Sequence, residues 1–264
     1  MDTLENLRKT FLDFEAMLQV LPHLLQTGLI NTIIISISAT IIGTAIGMVL
    51  AICGISPFRW IRYPARGFTD IFRGLPAILT IMLIGQGFAK VSQDIFGPSP
   101  YPLGIFALSL ISSAYIGEIF RAGIQSVDKG QIEACRALGM GYVKSMALVI
   151  IPQGIRRVLP ALVNQFIAIV KDSSLVYFLG LLVSERELFR VGQDAAVLSG
   201  NLSPLVMAGI FYLLITVPLT HLVNYFDERF RNGQRATTAP VSGLKELEEM
   251  DNETIVQTPA GSGR

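Results

Sequence analysis

Few residues in this apolar chain could do chemistry, so their positions are informative. Lys171, Asp172, Ser173 and Ser174 interrupt an apolar stretch that runs from Ala161 to Leu182. A charge near the middle of a membrane helix costs about 2.5 kcal/mol or more on insertion scales. Lys171 and Asp172 are therefore expected mid-span, facing a partner, the protein interior or a wet cavity. Adjacent helical residues point about 100° apart, so the two need not pair with each other. One chemistry that suits them is contact with a zwitterionic solute, its amino group at Asp172 and its carboxylate at Lys171. The other is a structural network that includes Glu118, Arg73 or backbone carbonyls. Ser173 and Ser174 add hydroxyls that line the same surface or bond back to the helix. Arg73, Gly74 and Pro76 open a second apolar stretch. Pro76 breaks or kinks a helix there, which makes a hinge, or else the segment is an ordinary helix entry with Arg73 snorkelling to lipid head groups.

Other chemistries lack their residues. Cys53 and Cys135 are far apart, with no His or second Cys at metal-ligand spacing, which argues against a disulfide scaffold or a structural zinc site. His23 and His221 sit beside apolar runs and read as interfacial residues. No nucleophile–base pair stands out. No G-x-x-x-x-G-K-[ST] phosphate loop is present, so ATP hydrolysis by that route must come from another chain.

The elements that position these groups follow from the distribution of charge. Of 264 residues, 51% are hydrophobic and only 16% charged, and the mean hydropathy is +0.54. Soluble chains usually carry about 25% charged residues. Lys and Arg number 21 against 20 Asp and Glu, a net charge of +1 that excludes nucleic-acid binding driven by bulk charge. Five stretches nearly lack charge: Gly28 to Ile52, Gly74 to Ala89, Leu103 to Gly117, Ala161 to Leu182 and Leu205 to Val223. A bilayer core needs about 20 helical residues, which the second and third reach only by extending toward Thr69 and Ile119. The expected fold is an all-α membrane protein with five transmembrane helices. Gly28 would open the transmembrane domain, which runs to Arg231.

The flanks read differently. Residues 1–27 mix acids and bases without a compact apolar core, against a cleaved signal peptide. Leu4, Leu7, Phe11, Phe14, Leu18, Leu21 and Leu25 form one helical stripe, expected in an interfacial amphipathic helix or a partner-docking helix. Residues 232–264 are polar and partly acidic, the composition of a disordered tail. Arginine and lysine concentrate in the first and third loops and after the last span. That places those segments in the cytoplasm, with the N-terminus outside and the C-terminus inside. Ala39, Gly43, Gly47 and Ala51 make a small-residue ridge in the first span, suited to close helix packing.

The third loop, about 121–160, is long for so small a membrane protein. Asp128 can cap a helix, with Gln131 completing a capping box. Gly139 and Gly141 would stop it, and a second amphipathic run from Tyr142 would end at Pro152. A short helix on a rigid loop suits insertion into a groove of another chain, with Ile132, Cys135 and Leu138 as apolar anchors. Glu133 either meets a donor on the partner or pairs with Arg136 or Lys129 on its own helix.

These loop residues carry a resemblance. Glu133-Ala134-Cys135, three residues, Gly139, nine residues, then Val149-Ile150-Ile151-Pro152 resembles the EAA loop of ATP-binding-cassette (ABC) importer permeases, with Cys135, Val149 and Ile151 departing from the commonest residues. Phe72-Arg73-Gly74-Leu75-Pro76, Ala114 to Gly123 and Lys171-Asp172-Ser173-Ser174-Leu175 are similar to segments of the polar amino-acid permeases. The likeness covers about Gly28 to Arg231.

The resemblance implies a type I ABC importer fold in the bacterial inner or plasma membrane. The partners it implies are a second permease subunit, ATPase subunits that hold ATP and Mg, and an extracytoplasmic substrate-binding protein. The solute would be a polar amino acid, and no cofactor would reside in this chain. Glu133, Ala134, Cys135, Gly139 and Pro152 would couple to the ATPase. Lys171, Asp172, Ser173, Ser174, Arg73 and Glu118 would line the pathway or gate it. The rivals are a same-fold permease for another small solute and, in a different class, a secondary transporter or membrane-embedded enzyme. The lack of an internal sequence repeat weakens the secondary transporter.

Overall fold

The computed structural model of the chain describes residues 3–237, which form helices and short connections. Four helical stretches are long and apolar enough to cross a membrane: Glu5–Gly54, Tyr101–Gln125, Tyr142–Leu179 and Ser203–Asn224. A fifth crossing exists if one sharply bent pair counts as a single span.

The N-terminal segment is not one separate helix. Helix α1 (Thr3–Phe11) stops at Leu12, and Asp13 caps α2 (Phe14–His23) by accepting from the backbone N–H groups of Glu15 and Ala16. A π-turn at Leu24–Gly28 follows Pro22 and leads without a break into α3 (Leu29–Gly54). Proline lacks the N–H that a regular turn needs, and a π-turn re-registers the ladder. The expected boundary at residue 28 therefore falls inside continuous helix. Leu7, Phe11, Phe14, Leu18 and Leu25 of the apolar stripe are exposed, while Ala16, Met17, Val20 and Leu24 are buried. Val20 and Leu24 pack against Leu188 and Val191 of α11 (Leu188–Ser199) and Ala208 and Phe211 of α12 (Ser203–Thr237).

The second apolar stretch behaves as Pro76 requires. Helix α4 (Arg59–Gly74) and α5 (Ala77–Gly87) meet at Leu75–Pro76 with a bend of 107°. The bend blocks the extension toward Thr69. At 1.5 Å per residue, α5 is only about 16 Å long, short of the bilayer core. Helix α6 (Ala89–Phe96) follows it, and Gly97 at φ +82° turns the chain toward α7 (Tyr101–Gln125).

Helix α7 is the central strut. Two-thirds of its most apolar window is buried within the chain, against 17–28% for the other three spans. The small-residue ridge explains how α3 reaches it. A Cβ on Gly43 would lie 2.1 Å from Ser112 Oγ, and one on Gly47 would lie 2.9 Å from Gly117 N and Ser113 O. Ala39 and Ala51 are likewise buried. Helix α10 (Ile151–Asp172) packs antiparallel to α7. A Cβ on Gly123 would strike Gly154 O at 2.6 Å, and one on Gly104 would strike Val176 Cγ1 at 2.4 Å.

The packed unit ends at Val223, and a second unit begins at Asn224. Helix α12 continues through Thr237, past the expected domain edge at Arg231. The tail read over 238–264 lies outside the described residues.

Candidate functional site: a coupling loop and two charged clusters

The loop is a built structure. Helix α8 (Lys129–Ala137) starts where expected, with Asp128 Oδ1 accepting from Gly130 N. Gln131 does not complete the capping box; its Oε1 instead accepts from Gln153 Nε2 at 3.4 Å, tying the loop helix to the start of α10. Gly139 stands at φ +74°, Met140 N–H donates to Cys135 O, and Gly139 N–H donates to Arg136 O. This pair of bonds is the Schellman C-cap, which requires the left-handed residue that glycine supplies at low cost. Gly141 is in extended conformation at φ −67°, ψ 156°, and leads into α9 (Tyr142–Ser145).

Pro152 does not end the second run. Helix α9 passes through a π-turn at Met146–Ile150 into α10, where Pro152 occupies the second position. The wider π-turn before it eases the clash of its ring with the carbonyl four residues back.

The anchors also differ from expectation. Cys135 is 5% exposed, and Ile132 packs on the loop's own cluster of Ile124, Val127 and Ile150. They hold the helix down and are not presented outward. The exposed face carries Glu133, Ala134, Ala137 and Leu138, the last 81% exposed, with Tyr142 and Val143 beyond the turn. Among the described residues Glu133 makes no ion pair within 4 Å, so its pairing with Arg136 or Lys129 is not seen.

Arg73 and Glu118 are brought together, but not with Lys171 and Asp172. Glu118 accepts a forked pair from Arg121, with Arg121 Nε at 2.9 Å from Oε1. Arg73 Nη1 lies 3.8 Å from Glu118 Oε2, and its guanidinium sits 5.5 Å from the Tyr115 ring centroid. This cluster fastens the bent α4–α5 junction to the loop end of α7. The Arg157 guanidinium donates to Ser126 O and secures α10 to the same end.

Lys171 and Asp172 form the last turn of α10, inside a helical span that runs on to Leu179. A 3-10 segment, Ser173–Leu179, takes over there and ends at Gly180, φ +74°. From the antiparallel contacts, they stand about 11 residues from the level of Glu118, or roughly 16 Å along the helix axis. Lys171 is exposed, Asp172 half-buried and Ser173 fully buried. Ser173 Oγ donates to Val170 O and Ser174 Oγ to Lys171 O, so both hydroxyls bond back to the helix. The 3-10 segment is seated by glycines, with Val176 over Gly104 and Leu179 over Gly85.

Sequence reasoning missed a buried polar cluster near this end. Glu187 is fully buried and caps α11, accepting from Phe189 N at 2.6 Å, Arg190 N at 2.7 Å and Tyr212 Oη at 3.0 Å. Burial pushes its carboxyl up to about 7, against the pull of the two backbone donors, Tyr212 and Arg190. Asn31 Nδ2 donates to Ser184 O and Arg186 O, and Thr32 Oγ1 accepts from Leu188 N. The polar pair Asn31-Thr32 inside an apolar run was the available signal.

An all-helical, multi-pass bundle with a fastened helical loop at one end and charges within reach of its spans defines a membrane transport subunit. The chain belongs to the family of binding-protein-dependent transport system inner membrane components, which matches residues 43–232. It is 36% identical over 221 residues to the arginine transport system permease protein ArtQ of Bacillus subtilis (strain 168), covering 84% of this chain and 98% of that protein. It is 34% identical over 226 residues to the glutamate/aspartate import permease protein GltK of Escherichia coli O157:H7, covering 82% and 97%. The solved structure of an amino acid ABC transporter with histidines aligns at a TM-score of 0.71 and 31% identity, covering 83% of this chain and 99% of that one. The methionine ABC transporter MetNI, at 18% identity and a TM-score of 0.63, shares the fold. The fold is the type I importer transmembrane fold, and the chain is a permease-type subunit of an ABC transporter.

Proposed function

We propose that this chain forms the translocation pathway of an ATP-driven importer for polar amino acids and receives its work through the loop helix α8. The carrying observation is the geometry of that helix. It is capped at Asp128, closed by a Schellman turn at Gly139, pinned from beneath by Ile132 and Cys135, and bare on its outer face at Glu133, Ala134 and Leu138. A rigid, outward-facing short helix transmits a push, whereas a mobile loop absorbs it. ATP and Mg belong to a separate ATPase in this reading, since this chain has no phosphate loop. A second permease subunit and an extracytoplasmic substrate-binding protein complete the assembly.

Lys171 and Asp172 suit a zwitterion because one cation and one anion stand side by side, half in reach of solvent. The relatives named for arginine and for glutamate/aspartate support polar amino acids as the solute class. The loop end of the bundle faces the cytoplasm, by its arginines and lysines.

The test is uptake of labelled polar amino acids into liposomes holding the assembled transporter and its binding protein. Uptake that needs ATP and stops with vanadate is expected. Uptake driven by an ion gradient without ATP would replace this reading with a secondary transporter.

A further inference from the structure

Helix α4 presents three distinct faces, and only one of them is packed within the chain. At about 100° per residue, Ala65 and Thr69 share the buried face. Arg59, Arg66, Asp70 and Arg73 share a second, basic face. Trp60, Pro64 and Ile71 fall within about 40° of one another on a third. That third face is bare: Trp60 is 93% exposed and Ile71 58%. Tyr63 lies on the border between the basic and apolar faces and is 59% exposed.

The setting of the helix says what covers it. It follows α3 after a four-residue link and turns through 107° into α5, so it is not collinear with the apolar helix that follows it. A Cβ on Gly54 would lie 3.6 Å from Arg121 Cδ, and Ile55 packs with Ile132 on the loop cluster, which places the start of α4 at the end that carries the loop helix. A helix lying at a membrane boundary with aromatic and aliphatic groups on one side and arginines on the other matches an interfacial helix. Arg73 is engaged by Glu118, but among the described residues none of Arg59, Arg62 and Arg66 has a carboxylate within ion-pair distance. Arg62 stacks on Tyr63 at 5.6 Å from the ring centroid. Where the basic and apolar faces meet, a shallow cavity of about 610 Å³ is lined by Arg59, Trp60, Tyr63 and Pro64.

We infer that this cavity binds an anionic phospholipid, with the headgroup phosphate on Arg59, an acyl chain across Trp60, Tyr63 and Pro64, and Arg66 adding positive charge about 10 Å along the same face. A zwitterionic lipid satisfies the apolar wall equally well, but its ammonium group faces uncompensated arginines. The selectivity therefore comes from charge, and contact alone comes from Trp60 and its neighbours.

Trp60 is the single tryptophan of the chain, which gives a direct readout. The full-length chain is reconstituted into vesicles containing brominated phosphatidylglycerol or brominated phosphatidylcholine at equal mole fraction, and quenching of Trp60 emission is measured. Phosphatidylglycerol should quench at least about fivefold more effectively, the value of one arginine near an anionic surface. Raised salt should shrink the difference. Arg59→Gln with Arg66→Gln should bring the two lipids to parity while quenching persists. Both positions are exposed, so these changes leave the packed face intact. Equal quenching by both lipids in the unaltered chain would overturn the inference. Absence of quenching by either would overturn it also, by showing that water, a second copy or a partner protein occupies the face.

Discussion

At the scale of single residues, the proposed function separates groups that couple, groups that hold the fold and groups placed to meet a solute. Glu187 belongs to the second kind, and its burial has a thermodynamic consequence. Its carboxyl titrates from 4.5 in the unfolded chain to about 7 in the fold. The folded state thus holds a proton that the unfolded state releases, so stability falls as pH rises from about 4.5 to 7 and levels off above. The total is on the order of 3 kcal/mol. The thermal midpoint of the purified chain should drop between pH 5 and pH 7, and Glu187→Gln should flatten that slope. A midpoint that rises with pH in the unaltered chain would contradict the assignment. Lys171 and Asp172 are proposed to be of the third kind. Lys171→Met or Asp172→Asn should reduce uptake at least severalfold while the complex still assembles, because neither side chain makes a hydrogen bond or ion pair among the described residues. Wild-type uptake by either variant would remove that residue from the pathway. The charges themselves were legible from the sequence, since they break an apolar run. Their helical setting was not, because hydropathy is blind to the switch from α to 3-10 at Ser173, which makes them the last turn of α10.

At the scale of elements, two kinds of signal read well and one did not. Local backbone chemistry read well: Asp128 and Gly139 bound α8, and Pro76 breaks α4 from α5. The ridge from Ala39 to Ala51 also read well, because small residues at four-residue spacing leave one face of α3 flat. Gly47→Val should therefore be damaging. Its Cβ would sit 2.9 Å from two backbone atoms that cannot swing aside, and overpacking of this kind costs about 1–3 kcal/mol. A lowered thermal midpoint is expected. Gly209→Ala, whose Cβ meets nothing within 4 Å, should cause no loss. Comparable behaviour of the two would mean that α3 and α7 do not pack as described. Contacts between distant segments were not legible. Asn31 reaches Ser184 O across 153 positions, and nothing in its neighbourhood marks that partner. Pro152 misled for a related reason: a proline ends a regular helix, but the π-turn at Met146–Ile150 absorbs it.

At the scale of the whole molecule, one well-buried helix carries the others. The faces turned away from α7 stay open, including Ile30, Ile34, Ile37 and Ile41 along α3. Such rows are stable only against lipid or another subunit, which accords with a multi-pass membrane component. The ends of α3 and α7 nearest α4 and α8 share one side of the bundle, and on the positive-inside rule we propose that this side faces the cytoplasm. With Cys53 and Cys135 replaced by Ser, a cysteine at Val143 should resist an impermeant thiol reagent added outside intact cells. One at Asp94 should react, and equal outside labelling would overturn the orientation.

The central claim is that α8 and its glycine turn pass work between a separate ATPase and these spans. The most direct measurement is ATP hydrolysis by the reconstituted complex, with and without solute and binding protein, alongside co-purification of the ATPase. Gly139→Val forces a β-branched residue toward φ +74°, a conformation that costs ordinary residues about 1–2 kcal/mol. Glu133→Ala removes the exposed carboxylate from the outer face of the same helix. Neither change disturbs the packed spans, so both subunits should insert normally. The account predicts weakened ATPase attachment, or hydrolysis that solute no longer stimulates, in both variants, with Gly139→Asn milder because asparagine tolerates the left-handed region. Normal attachment together with normal stimulated hydrolysis in Gly139→Val and in Glu133→Ala would contradict it.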